Sequence, residues 1–168
     1  MSELDDFRKA KDDFLASHPQ SPLTSAQKRA FTGLVYFPEN PALRLEVELE
    51  KAPAGQEITI ETSSGDTRTY QCAGRFSFLV EGQAAQLTIY ADQNGYFLPF
   101  VDALAGKETY GAGRYLEPEE LLDGRFLVDF NLAYNPYCAY NERWSCPLTP
   151  FENRLKVPIR AGEKAFGK

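Results

Sequence analysis

The stretch LRLEVELE, residues Leu43–Glu50, decides the fold class of this chain. Apolar and charged residues alternate in it one by one, so Leu45, Val47 and Leu49 share one face of an extended strand. The glutamates between them occupy the opposite face. This pattern predicts a strand with one buried face and one face in water, which is typical of antiparallel sheets.

The same period of two recurs along the chain after Leu49. Ser63-Ser64-Gly65-Asp66 has the composition of a hairpin turn between two of these segments. Short strands, short turns and no helices between them predict a mainly β (α+β) fold, an antiparallel barrel-like or sandwich domain, with the barrel as the leading prediction. The other predicted strand segments are Ile58 with Ile60, Thr67–Cys72, Phe76–Val80, Leu87 with Ile89, Tyr96–Val101, Arg125–Leu132 and Arg154–Arg160.

The first 31 residues have helical patterns instead. Apolar side chains recur on one helical face from Ser2 to Ala16, and the prolines after Ala16 end that helix. A second, short helix is predicted over Ala26–Phe31, capped by Thr24 or Ser25. We therefore expect a single domain, 1–168, in which a helical segment (1–31) closes one side or end of a β-rich body (34–168).

Composition and charge restrict the kinds of partner. The chain has 168 residues and a net charge of −6. An acidic protein without a Lys/Arg stripe is not expected to bind nucleic acid, and no apolar run approaches the roughly 20 residues that span a bilayer. The acidic, amphipathic start lacks a signal-peptide core, so we expect a cytoplasmic protein without a membrane partner. The oligomeric state stays open.

Polar and aromatic residues concentrate in the last third of the chain. ETYGAGRYL (Glu108–Leu116) and DFNLAYNPYCAYNERWSCPL (Asp129–Leu148) contain five of the nine tyrosines, two of the three cysteines and the only tryptophan. Such groups are costly to bury unless each finds a hydrogen-bond partner. The cluster therefore indicates either a functional site or a stabilising plug.

Arg114 and Asp129 are the charged candidates within this cluster. Gly111-Ala112-Gly113 lets the backbone turn tightly before Arg114, whose guanidinium could hold a carboxylate or phosphate. The alternative is a structural ion pair with a buried acid such as Asp129. Asp129 and Asn131 share one face of the predicted strand, and that face points either into a cavity or into solvent.

The two nearby cysteines, Cys138 and Cys146, have several open roles. They could form a disulfide, bind a metal or act singly as a nucleophile, but zinc needs more ligands than the cluster offers, and the only histidine, His18, lies far away. We expect no metal and no cofactor, and two reduced structural thiols.

The cluster resembles a family of uncharacterised bacterial and archaeal proteins named for a domain of unknown function, DUF1684. The resemblance rests on ETYGAGRYL, DFNLAYNPYCAY and CPLTPFENRLKVPIRAGEK, and more loosely on SPL and GLVYFPENPALR. It implies no activity, but it suggests that the polar cluster defines the family. The candidate ligand-binding residues are Tyr110, Arg114, Tyr115, Asp129, Asn131, Tyr134, Asn135, Tyr137, Cys138, Tyr140 and Asn153.

Three functions remain open at this point. The leading expectation is a pocket that binds a small polar or anionic molecule with a flat or ringed portion. The second is a hydrolase or isomerase that uses Asp129 as a general base or Cys138 as a nucleophile. The third is a structural or interaction protein in which the cluster is a plug.

Overall fold

The computed structural model describes residues 2–52 and 55–167. Met1, Pro53, Ala54 and Lys168, which the predicted domain 1–168 includes, lie outside the described residues. The chain begins with helices α1 (Glu3–Ser17) and α2 (Ser25–Ala30). Neither of these described helices is long and apolar enough to cross a membrane.

Both helices begin at capping boxes, in which the N-cap side chain and the side chain three residues later satisfy each other's backbone N–H groups. Ser2 and Asp5 form the box of α1, at 3.1 and 3.2 Å. Thr24 and Gln27 form that of α2. The two helices and the Thr24 cap are therefore confirmed.

Within the described part of the chain, nine strands form two antiparallel sheets. The smaller sheet has the order β1-β9-β8; the larger has the order β2-β4-β5-β6-β7, with β3 also paired to β4. The strands are β1 (Arg44–Val47), β2 (Glu50–Lys51), β3 (Glu57–Glu61), β4 (Thr67–Val80), β5 (Gln83–Asp92), β6 (Gly95–Phe100), β7 (Arg114–Leu116), β8 (Glu119–Glu120) and β9 (Phe126–Asp129).

The sheets form a sandwich-like fold and not a closed barrel. The mainly β fold class is confirmed, whereas the barrel arrangement is not, because β1, β8 and β9 form a separate sheet. LRLEVELE contributes β1 to the small sheet and then β2, through Glu50, to the large sheet. The apolar faces enclose one core, in which Phe130 stacks on Phe78 and meets Phe100 edge-on at 5.3 Å between ring centroids.

The predicted strand Arg154–Arg160 is wrong. This segment runs beside Val101–Ala103 through a few backbone hydrogen bonds and one isolated bridge, Val101 with Arg154. Pro158 has no N–H to donate, and the N–H of Ile159 donates to Oδ2 of Asp102 at 2.8 Å. The backbone pairing therefore ends before Pro158, and a side chain takes over at Ile159.

The predicted strand Arg125–Leu132 ends early. β9 stops at Asp129, whose carboxylate accepts the N–H of Asn131 at 3.0 Å and so starts a 3₁₀ turn over Phe130–Leu132. Short polar side chains compete for backbone donors in this way. Asp129 and Asn131 therefore do not share one strand face, and that part of the sequence interpretation is corrected.

Candidate functional site

Arg114 is fully buried, with only 1% of its surface exposed. Its Nη1 donates to the carbonyl oxygens of Ala161 at 2.5 Å and Glu163 at 3.0 Å, and its Nη2 donates to that of Ile159 at 2.9 Å. Nη2 also lies 3.6 Å from the buried carboxylate of Asp102. The partner acid is thus Asp102 and not Asp129.

Burial lowers the pKa of Arg114 to about 10, while the charges of Asp102 and Glu163 act in the opposite direction. The group therefore stays cationic at neutral pH. Because its donors already meet three carbonyls and a carboxylate, the guanidinium holds the irregular C-terminal segment in place. It faces its own chain and not an open space.

The GAG turn before Arg114 makes the close approach that the sequence predicts. Gly113 has a φ of 103°, and a Cβ atom there would lie 2.5 Å from the carbonyl oxygen of Phe100. Only glycine fits such a position without a shift of backbone. The turn thereby carries Arg114 into the core, beside β6.

Three of the predicted asparagines link distant backbone segments through side-chain hydrogen bonds. Asn153 is fully buried, and its Oδ1 accepts the N–H of Thr88 at 2.8 Å. Its Nδ2 donates to the carbonyls of Thr88 and Pro99, both at 2.8 Å. Asn131 pairs in the same manner with both backbone groups of Asn40. The side-chain amide of Asn135 donates to the carbonyl of Lys164 at 3.0 Å.

Glu163 fastens helix α1 to this interior. One carboxylate oxygen accepts the backbone N–H of Asn135 at 3.0 Å, and the other is bonded by the ammonium of Lys11. The same ammonium lies 5.0 Å from the ring centroid of Tyr134. Lys11 thus secures α1 through an ion pair and a cation–π contact.

Beside the Lys11–Glu163 ion pair, a cavity of about 840 Å³ lies between α1 and the sandwich. Its wall comes from α1, from β7 to β9 and their connections, and from the loop 132–147, and it is mainly apolar. The lining residues are Phe7, Ala10, Lys11, Phe14, Leu15, Arg68, Tyr115, Leu116, Glu117, Pro118, Glu119, Leu127, Val128, Asp129, Leu132, Tyr134, Pro136, Tyr137, Trp144, Ser145, Cys146 and Pro147.

The sequence-predicted candidates divide into two groups around this cavity. Four of them line it: Tyr115, Asp129, Tyr134 and Tyr137. The other seven are outside its lining: Tyr110, Arg114, Asn131, Asn135, Cys138, Tyr140 and Asn153. Tyr140 instead packs with Leu15 and Leu23 beneath α1. The cluster is therefore part plug and part cavity wall.

Aromatic side chains form much of the cavity wall. The ring of Tyr137 meets that of Trp144 edge-on at 5.2 Å, and the ring of Tyr115 meets that of Tyr134 in the same way at 5.9 Å. Tyr137 is 39% exposed and Phe7 is 48% exposed, although both are large apolar groups. Apolar rings that line an open cavity are suited to contact with another apolar body.

The polar groups of the wall are few and mostly paired. The hydroxyl of Tyr134 donates to Oε1 of Glu117 at 2.7 Å, and burial raises the pKa of that phenol above its ordinary value. The hydroxyl of Tyr115 donates to the carbonyl of Pro147. Arg68, from β4, is an exposed cation whose Nη2 donates to the carbonyl of Ser145 at 3.3 Å.

Cys146, which is buried, lines the cavity, whereas the partly exposed Cys138 is not part of its lining. The backbone N–H of Cys138 donates to Sγ of Cys146 at 3.3 Å, and the hydroxyl of Tyr110 lies 3.7 Å from Sγ of Cys138. All three cysteines are free thiols. Among the described residues, no group of three or more His, Cys, Asp or Glu side chains could hold a metal ion.

Several residues that line the cavity were not among the sequence-predicted candidates. Phe7 and Lys11 of α1, Arg68 of β4 and Trp144 all line the cavity. The amphipathic pattern of α1 was the available signal, because Phe7 lies on its apolar face yet remains half exposed. Arg68 had no such signal, since its approach to Ser145 depends on how distant segments meet.

The chain is similar to proteins of unestablished function. The sequence profile described as "Protein of unknown function (DUF1684)" matches residues 29–164. A solution NMR structure of an uncharacterised protein from Haloarcula marismortui is 37% identical, covers 96% of this chain and 92% of its own, and superposes with a TM-score of 0.71. No curated protein matches the chain significantly.

Proposed function

Because the chain belongs to the family described as "Protein of unknown function (DUF1684)", whose description states no activity, we propose a function from the cavity itself. The protein binds a small molecule that has a mostly apolar, ring-containing body and one polar or anionic group. The observation that carries this proposal is the mainly apolar cavity of about 840 Å³ between α1 and the sandwich.

The size and lining of the cavity support a small-molecule ligand. Pockets for such ligands occupy roughly 300–1,000 Å³ and have apolar walls with a few polar groups. The space of about 840 Å³ between α1 and the sandwich lies within this range.

The distribution of rings and charges supports the chemical class. Tyr115, Tyr134, Tyr137 and Trp144 offer faces and edges for a ring. Lys11 is engaged with Glu163, whereas Arg68 is exposed and carries more donors than its bond to the carbonyl of Ser145 uses. Arg68 is therefore the cation that would meet an anionic group of the ligand.

The alternative functions have less support from the same geometry. Oδ1 of Asp129 accepts two hydrogen bonds from Asn131, and Oδ2 lies 3.7 Å from Nε of Arg44, so this carboxylate is a poor general base. Interaction with the Cys146 thiol and burial raise the pKa of Cys138, which disfavours its thiolate form. A plug role suits Arg114 and Asn153, but it leaves the cavity unexplained.

The cellular setting is part of the proposal. Three free thiols are typical of a reducing compartment, so we place the protein in the cytoplasm of a bacterium or archaeon. There its partner is a small molecule, and not nucleic acid or a membrane.

Anilinonaphthalene sulfonate, a ring-containing anion that fluoresces in apolar surroundings, is a suitable probe. We expect saturable binding to the native protein. Leu132→Lys should weaken it about tenfold, since a charge replaces an apolar contact worth roughly 1.5 kcal/mol. Arg68→Ala should also weaken it, because the sulfonate loses its cation. Native mass spectrometry of freshly purified protein would reveal a co-purified ligand.

Matched controls make this test specific. Leu122→Lys places the same charge at an exposed leucine outside the cavity lining, and Arg75→Ala removes an exposed arginine from the same strand as Arg68. Both should bind the probe as the parent does, at unchanged urea midpoints. Equal losses in Leu132→Lys and Leu122→Lys, or no saturable binding to the parent, would refute the proposal.

A further inference from the structure

A second arrangement in the molecule, independent of the proposed ligand, is the contact between two thiols. The sulfur of Cys146 lies 3.3 Å from the backbone nitrogen of Cys138, which donates its hydrogen to it. A cysteine's own sulfur lies only a few ångströms from its own backbone nitrogen, so the two sulfurs are neighbours. Both thiols are free in the described structure.

Both cysteines lie on anchored segments. The backbone N–H of Cys146 donates to Oγ of Ser63 at 3.1 Å, and its carbonyl accepts the N–H of Ser63 at 2.9 Å. Cys138 belongs to the 3₁₀ turn Tyr137–Ala139, which closes through the bond from the Tyr140 N–H to the Tyr137 carbonyl at 3.0 Å. The contact between the thiols is therefore built by backbone bonds on both sides.

The two thiols have opposite electrostatic environments. Interaction with the Cys138 thiol, the N–H groups of Cys138 and Tyr137, and the charge of Arg68 lower the pKa of Cys146. The same thiol–thiol interaction and burial raise the pKa of Cys138. The other titratable groups facing the pair are the phenols of Tyr110 and Tyr115, which bear no charge at neutral pH.

We propose that Cys138 and Cys146 form a redox site at the cavity wall, which a hydroperoxide oxidises to an intramolecular disulfide. Cys146 is the attacking thiol, because it lines the cavity and its sulfur accepts the backbone N–H of Cys138. Cys138 is the resolving thiol, held next to Cys146 by that N–H contact. The sequence singled out Cys138 as a nucleophile, whereas the geometry assigns that role to Cys146.

The reaction balances with the hydroperoxide as the only oxidant. The Cys146 thiolate attacks one peroxide oxygen; an S–O bond forms, the O–O bond breaks, and the leaving alkoxide or hydroxide takes up a proton. The Cys138 sulfur then attacks the Cys146 sulfenic acid; the S–S bond forms, the S–O bond breaks, and water leaves with the Cys138 proton. The two thiols together lose two protons and two electrons, and the peroxide takes up both and is reduced.

The test uses the whole protein and hydrogen peroxide. We expect intact-mass spectrometry to show the loss of two hydrogens, reversed by dithiothreitol, and peptide mapping to find the bond between Cys138 and Cys146. At neutral pH, iodoacetamide should alkylate Cys146 at least about fivefold faster than Cys72, with a rate midpoint below the ordinary thiol value of about 8.5. Cys72, whose pKa burial raises, is the internal control.

Three substitutions separate the roles. Cys138→Ser should form no disulfide but leave a sulfenic acid on Cys146 that dimedone traps. Cys146→Ser should leave Cys138 inert, and Cys72→Ser should behave as the parent. A disulfide that involves Cys72, a disulfide between two molecules, or equal alkylation of Cys72 and Cys146 in the folded parent would overturn the proposal without any variant.

Discussion

Replacement of Arg114 by alanine is the sharpest test of how the interior is held. The change removes a guanidinium that donates to the carbonyls of Ile159, Ala161 and Glu163 and lies 3.6 Å from Asp102. It leaves the carboxylate with the hydroxyl of Thr109 and the N–H of Ile159, but without its countercharge. The C-terminal segment loses its principal attachment.

The expected loss of stability follows from these contacts. Breaking a buried ion pair by removing one partner costs about 3–5 kcal/mol. Each carbonyl left without a donor adds up to roughly 1–3 kcal/mol, although water that enters the new space recovers part of this. We therefore expect the free energy of unfolding to fall by about 4 kcal/mol or more, a large part of the typical 5–15 kcal/mol.

Urea denaturation followed by tryptophan fluorescence and circular dichroism measures this change. A loss of about 4 kcal/mol corresponds to a fall of roughly 8–16 °C in Tm for a domain of this size. Arg114→Lys should fall between the parent and the alanine variant, because it keeps the charge and loses the fork of donors.

Arg160→Ala provides the matched control. Arg160 pairs with Glu108 at 3.0 Å, but both side chains are about half exposed, at 49% and 44%. Such a surface pair contributes at most about 1 kcal/mol. If Arg114→Ala cost no more than Arg160→Ala, the buried guanidinium would not be what holds the segment, and the structural interpretation of Arg114 would be refuted.

Two further predictions concern the core. Gly113→Ala should destabilise the protein by at least about 2 kcal/mol in urea, because the added Cβ meets the Phe100 carbonyl at 2.5 Å, whereas Gly124→Ala, with open space around its Cβ, should cost about 1 kcal/mol; equal costs would contradict this. Burial raises the pKa of Tyr90 and Tyr115 above 10, so the folded state retains protons that the unfolded chain releases. Stability should therefore be full below about pH 10 and fall as pH rises above it, and a constant urea midpoint from pH 8 to 11 would contradict the expectation.

The parts of the fold that follow from local patterns could be predicted. The alternation of burial over Leu43–Glu50 and the turn at Ser63–Asp66 depend on neighbours in sequence, and both are confirmed. The segment Leu43–Glu50 is not one strand, however, because Leu43 ends a 3₁₀ turn and the rest divides between β1 and β2. Leu155, Val157 and Ile159 alternate as well, yet they form no strand: the pairing with Val101 and Ala103 stops at Val157, and the side chains of Asp102 and Arg114 take the N–H and the carbonyl of Ile159. Nothing local to Arg154–Arg160 indicates that competition, apart from Pro158.

The sequence indicates where the candidate site lies, but it does not show which of its residues line the cavity and which are bonded to the chain itself. The cost of burying polar groups correctly marked the Tyr- and Asn-rich segments, because such groups need partners wherever they lie. Whether a partner is the chain itself or a ligand depends on contacts between distant residues, such as Arg114 with Ile159 or Asn131 with Asn40. Tyr134 and Tyr137 border the cavity because α1 packs there, and no pattern around them shows that helix.

The attachment of Arg114 has a consequence for synthesis. The carbonyls that accept its hydrogen bonds come 45, 47 and 49 residues later in the chain. On the ribosome, a guanidinium that emerges first must stay hydrated until those acceptors follow, since its desolvation without partners is prohibitive. The interior beside β6 and β7 therefore closes only after residue 163 has left the exit tunnel, and the nascent sandwich relies until then on hairpins such as β4–β5.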